Sequence, residues 1–208
     1  LDEPLLKGVE RAARLAEEVK IIDALWREGK VTFEGEHYTV RDLVSSPKPV
    51  SQPRPELQIA FKSKKFLTRL SAEMADRINL CGADDTEAQE ALDTLRSHCE
   101  DIGRDYSTIK KGRLCTILLT ESPIPESEFE AFITQKAAQL RQQPEDLMDE
   151  FNDYVLSYVG PAEHCAEALA ERLLPMGIDE LVICADTVGE SPYDNTMNGL
   201  RRIAEEVI

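Results

Sequence analysis

The stretch INLCGADDTEAQEALDTLRSHCEDIG, residues 78–103, decides the fold. It opens on a short apolar run, Ile78-Asn-Leu-Cys81, turns at Gly82-Ala-Asp-Asp85, and continues as a helix from Thr86 to Ile102 that Gly103 stops. A strand, a tight turn and a helix of this length make one βα unit. Working outward, the pattern recurs. Leu57–Ala60 reads as a strand before a helix over Lys64–Asp76, and Arg113–Thr120 as a third strand. Glu180–Ala185 reads as a fourth, before a last helix over Tyr193–Ile208. Alternating βα units imply parallel strands covered by helices. Four such strands suit an open α/β sheet or half of a (β/α)₈ barrel, since a full barrel needs about 250 residues.

The remaining segments decorate this frame. Val9, Ala12, Leu15, Val19, Ile22 and Leu25 recur at three- and four-residue intervals, so Glu3–Arg27 reads as an amphipathic helix. Val31–Val40 reads as a hairpin turned at Gly35, and Pro47, Pro49, Pro53 and Pro55 impose an extended connection. Two helical stretches, Glu126–Gln143 and Pro144–Tyr158, form an insertion at 121–158 within a single region spanning 1–208. Gly160-Pro161 opens another helix, with proline suited to the first turn, ending near Met176-Gly177.

Composition narrows the function. The 208 residues carry 24 Lys and Arg against 40 Asp and Glu, a formal charge of −16. Nucleic acid needs a basic footprint and is not expected as a partner. No apolar run approaches the ~20 residues of a membrane span, and no secretory signal opens the chain. Cys81, Cys99, Cys115, Cys165 and Cys184 are odd in number and widely spaced. That spacing reads as a reduced, cytoplasmic chain without structural zinc or another metal site. His37, His98 and His164 lie far apart and read as structural or solvent-facing, and no motif nominates a catalytic group.

The charge is uneven. Residues 1–80 carry 14 Lys and Arg against 13 Asp and Glu, so most of the acidity belongs to solvated helix faces further on. Within the near-neutral part, Ala60-Phe-Lys-Ser-Lys-Lys65 falls at the carboxyl end of the first strand and opens the next helix. Loops at that end of parallel strands are where ligands bind in barrels and open sheets. Helix amides with Lys62, Lys64 and Lys65 suit a phosphate, as against a solvated lysine turn. Gly160-Pro161 is a second such helix start, and Asn79 and Cys81 end the second strand.

Leu15–Trp26 followed by Val31–Tyr38, then Pro47–Val50, Pro53–Pro55 and Leu70–Asn79, resembles the luciferase-like monooxygenase family. His98–Asp105 and Val159-Gly160 through Gly177–Val182 fit the same order, and the deazaflavin (coenzyme F-420) branch looks closest. The resemblance implies a TIM-type (β/α)₈ barrel, with Leu1 inside the helix after the fourth strand and this chain supplying strands five to eight. It also implies FMN or coenzyme F-420 at the carboxyl ends of the strands, a small organic substrate and oxidoreductase or monooxygenase chemistry. The cofactor contacts carried over are Ala60, Phe61, Lys62, Ser63, Lys64, Asn79, Gly160 and Pro161. Two departures stand out. The family's Gly-Gly loop is Ala60-Phe61-Lys62-Ser63 here, where Phe61 is expected to obstruct a close backbone approach, and the usual Gly-Thr/Ser-Pro is Gly160-Pro161-Ala162. The alternative is a non-catalytic half-barrel that pairs with itself or with a missing amino-terminal half, because four open strands leave edges and an inner face to cover.

Overall fold

In a computed structural model, the structure describes residues 7–63, 66–120, 126–149, 156–187, 200, 201, 203 and 204. They fall into two compact units. The first comprises Leu1–Ile59, Lys64–Arg77 and Ala91–Ile109, and the second Ala60–Ser63, Ile78–Glu90 and Lys110–Ile208.

In the first unit, helix α1 (Gly8–Arg27) leads into an antiparallel hairpin of β1 (Val31–Glu34) and β2 (Thr39–Leu43). The Glu17 carboxylate fastens the hairpin to α1. It accepts from the backbone N–H groups of Glu36, His37 and Tyr38 at 2.8, 3.0 and 2.9 Å. Burial pushes this carboxyl up, but the three donors more than reverse that and hold it below the usual range. Gly35 has no side chain because Glu17 occupies the space. The proline-rich connection is held by Arg54, which reaches Asp23 at 2.5 Å, Asp76, and the carbonyls of Pro55 and Met74 at 2.8 and 3.3 Å. Arg104 donates to the carbonyls of Ala72 and Ala75 at 2.9 and 2.6 Å, capping the end of α2 (Thr68–Met74).

The five-stranded sheet runs β3 (Gln58–Phe61), β4 (Arg77–Leu80), β5 (Lys110–Leu119), β6 (Leu156–Gly160), with β7 (Glu180–Thr187) also on β5. Four parallel strands were expected. The fifth is β6, because Leu156–Tyr158, read as the end of a helix, pair in parallel with Cys115–Ile117. The insertion is helical over α4 (Glu126–Leu140) and α5 (Pro144–Asp149), while 121–125 and 150–155 lie outside the described residues. The expected helix from Lys64 starts only at Thr68.

Strand β5 has its edges divided among three neighbours. β7 runs along Gly112–Leu119 on one edge. On the other, Gly112 lies against the Ile78 carbonyl of β4, and β6 takes over from Cys115. Alternate β5 residues Cys115, Ile117 and Leu119 pack with Cys165, Ala166 and Leu169 of α6 (Ala162–Leu173). The opposite face carries Leu114 and Thr116 beside Val182 and Cys184 of β7, both exposed.

The helix ends follow from their residues. Asp84 accepts from the Glu87 N–H at 2.7 Å, an aspartate cap with a glutamate three residues on, and α3 (Asp85–Ile102) starts there. Gly103, at φ +69°, stops it: its N–H reaches the Glu100 carbonyl, and that of Arg104 the Cys99 carbonyl, at 3.1 and 2.8 Å. Gly177 repeats this after α6 and a 3₁₀ turn at Leu174–Met176, while α4 ends with Arg141 in the same left-handed conformation, at φ 58°.

Candidate functional site

The residues singled out in the sequence sit at the carboxyl ends of the strands, at two levels. Cys81 donates its N–H to the Phe61 carbonyl at 3.1 Å, so the Ala60–Ser63 loop and the end of β4 are side by side. The Gly112 Cβ position lies against the Ile78 carbonyl and 3.9 Å from the Asn79 Cα, which sets Asn79 level with Gly112 and Cys81 with Leu114, whereas Gly160 is opposite Leu119. The offset is roughly five residues, or ~16 Å at the rise of a strand. The loop and Asn79 therefore form one group, and Gly160 with Pro161 another.

In the first group Phe61 is buried, 7% exposed. Ala60 is exposed and Ser63 half-buried. Lys62 is partly neutralised by Glu87 at 3.6 Å, and Lys64, like Lys65, lies outside the described residues. Asn79 is only 7% exposed between Ile78 and Leu80, and its Oδ1 has no hydrogen-bond partner. Buried Gly112 lets β4 approach closely: a Cβ there would lie 3.7 Å from that oxygen and press on the Ile78 carbonyl at 3.0 Å. On the same face Cys81 is half-buried, and burial together with the nearby Cys184 pushes its thiol up.

In the second group Gly160 adopts φ +150°, closed to other residues without strain, and its carbonyl accepts from the Thr120 N–H at 3.0 Å. The exposed His164 ring lies across it, 3.1 Å from where a Cβ would stand. Pro161 is the N-cap of α6. The buried Thr120 Oγ1 has no partner.

Gly112 and Thr120 were not singled out in the sequence. A glycine inside a strand signals close backbone approach, but the expected strand began at Arg113, one residue too late to include it.

Behind this face Arg113, 1% exposed, pairs with Asp85 at 2.7 Å and donates to the Ala83 carbonyl at 2.9 Å. Arg172 closes the same carboxylate from α6. Burial pushes the Asp85 carboxyl up, but the hydrogen bonds and charges of Arg172 and Arg113 outweigh it and hold it low. Cys115 and Cys165 are driven by burial to about 12 and about 11, which makes them core hydrophobes rather than nucleophiles. A cavity of about 310 Å³ lined by Leu173, Ile178, Leu181 and Ile203 lies at the amino end of β7, away from both groups. Among the described residues no helix is long and apolar enough to cross a membrane.

Known proteins share this fold. A coenzyme F-420-dependent secondary alcohol dehydrogenase, solved with an F-420–acetone adduct, superposes with a TM-score of 0.73. It is 16% identical over all of this chain, which covers 64% of that protein. The coenzyme F-420-dependent tetrahydromethanopterin reductase of Methanopyrus kandleri gives a TM-score of 0.68 at 12% identity, over 94% of this chain and 62% of its own. In sequence, 46 residues are 50% identical to an F-420-dependent glucose-6-phosphate dehydrogenase of Kineococcus radiotolerans, 22% of this chain and 13% of that protein. This chain thus spans less than two thirds of these relatives' length, and its fold is the partial (β/α) barrel of that group. The model of the luciferase-like monooxygenases matches residues 9–180, and the chain belongs to that family.

Proposed function

We propose that the protein is a flavin- or deazaflavin-dependent oxidoreductase acting on a small organic substrate, with FMN or coenzyme F-420 at the carboxyl ends of β3–β6. The family match over residues 9–180 carries this reading. The chain's own residues fit the ring of such a group. The unpartnered carboxamide oxygen of Asn79, one residue from the carboxyl end of β4, is an acceptor suited to a polar heterocycle. The phosphate end fits the first turn of α6 after Pro161 better than the lysine loop, because Glu87 offsets Lys62. The cofactor supplies hydride transfer or oxygen activation, and the protein supplies orientation and a dry surface. Leu114 and Leu118 are the apolar floor that keeps water from the ring. Absorbance titration of the purified protein with FMN and with coenzyme F-420 tests the proposal, and saturable binding of one is expected. Absence of binding by both overturns it.

A second reading, a half-barrel that assembles with another polypeptide, is favoured by the exposure of Val182 (40%) and Cys184 on the inner face. Light scattering at micromolar concentration separates the two: a stable dimer favours assembly, and a monomer that binds cofactor excludes it.

A further inference from the structure

At the amino end of β7, within the second unit, the cavity of about 310 Å³ is walled by Leu173, Leu174, Ile178, Leu181 and Ile203. Protein interiors are close-packed, with few voids larger than a water molecule. A cavity of ~150 Å³ lined by such side chains binds benzene, and this one has about twice that volume. Its walls are fixed by backbone hydrogen bonds. The Gly177 N–H reaches the Leu174 carbonyl at 3.0 Å and closes the 3₁₀ turn, and the Ile178 N–H reaches the Leu173 carbonyl at 3.4 Å. Asp179 then fastens the segment to β5. Its N–H donates to the Lys111 carbonyl and its carboxylate accepts from the Lys111 N–H, each at 2.8 Å. This frame holds Leu174 at the rim, 59% exposed, instead of letting it fold into the space.

The polar edge of the cavity narrows what could enter. Asp179 and Glu180 line it, and each has a lysine: Lys111 Nζ lies 2.9 Å from Asp179, and Lys110 Nζ 3.9 Å from Glu180. An anion would meet two carboxylates there, and a cation would compete with two lysines. From the fixed apolar walls and this neutralised edge we infer that the cavity is a second ligand site, for a neutral, mainly aliphatic molecule of about eight to twelve carbons with one hydroxyl. The chain lies against the leucine and isoleucine walls, and the hydroxyl stays at the edge beside Asp179 and Glu180. Because the walls are already in place, binding orders little of the protein. The site stands apart from the carboxyl-end groups and does not depend on the cofactor reading.

Isothermal titration of this chain with 1-octanol and with 1,8-octanediol tests the inference. Saturable binding of a single 1-octanol is expected. The diol is expected to bind at least roughly ten-fold more weakly, because its second hydroxyl would be buried without a partner. Ala204→Phe, which narrows the cavity from its lining, is expected to abolish 1-octanol binding. Leu174→Ser changes a mostly exposed side chain, so it tests the location even if Ala204→Phe fails to fold. It is expected to weaken 1-octanol roughly five-fold, the loss of part of a leucine's apolar contact. No saturable binding of 1-octanol to wild type would mark the cavity as a packing defect and overturn the inference. Equal binding of the two alcohols, or wild-type affinity for 1-octanol in the folded variants, overturns it as well.

Discussion

Each unit is organised around one arginine clamped on aspartate, and the two clamps differ. Arg54 serves a stretch with little regular structure. It gathers Asp23, Asp76 and two carbonyls, and the Leu57 N–H adds to Asp76 at 2.7 Å. Arg113 sits inside a strand, 1% exposed, and ties β5 through Asp85 to the start of α3 and, with Arg172, to the end of α6. The first clamp replaces missing secondary structure. The second joins elements that already have their hydrogen bonds, and so fixes how a strand and two helices meet beneath the candidate site.

The largest effect that would break this contrast is expected from Arg113→Met. Losing a buried charge beneath Asp85 should cost about 3 kcal/mol, measured by urea denaturation with circular dichroism. Arg54→Met should cost about 2 kcal/mol, because hydrogen bonds to charged groups are lost but Asp76 keeps its backbone donor. Trp26, the only tryptophan, lies in α1 within that clamp's own unit, so its fluorescence transition should move with Arg54→Met. Equal shifts of the Trp26 transition in both variants would show that the clamps are not separate. Next, Arg141→Gly should stabilise by about 1 kcal/mol, since a left-handed conformation is costly for any residue with a Cβ.

The smallest effect is acid sensitivity. Asp85 and Asp76 are both held below the usual carboxylate range, in each case by arginine partners that overcome burial. A lowered folded pKa contributes stability present above the unfolded value, about 3.9, and lost as pH falls through the folded value. Asp85→Asn and Asp76→Asn should therefore flatten the fall in Tm below about pH 4. For carboxylates this exposed the change should stay within about 1 kcal/mol. A slope unchanged by either substitution would remove the electrostatic part of the comparison.

Much of the frame was legible in local chemistry. The hairpin around Gly35, the aspartate-capped start of α3, and the glycine stops at Gly103 and Gly177 all follow from residues within a turn of one another. The strand at Leu156–Gly160 was not, because five residues of mixed character do not distinguish strand from helix without the neighbour that pairs with them. The polar start of β5 was missed for the same kind of reason. Lys111 is 8% exposed in a strand only because Asp179 meets its backbone N–H at 2.8 Å and its Nζ at 2.9 Å. At the site, sequence placed the loop and the strand ends correctly but not the offset between them, which is set by how β4 and β6 share one edge of β5.

That shared edge has a consequence for synthesis. The pairs that close β5 join Cys115 to Leu156 and Gly112 to Glu180, so the strand leaves the ribosome well before either partner exists. At ~5–20 residues per second, β7 follows roughly 3–14 s behind β5. Until β6 follows, roughly 2–8 s behind β5, the apolar run Leu114–Leu119 has no mate along most of its length, and its other edge stays open until β7. A nascent chain with an uncovered central strand is a natural client for holdase chaperones.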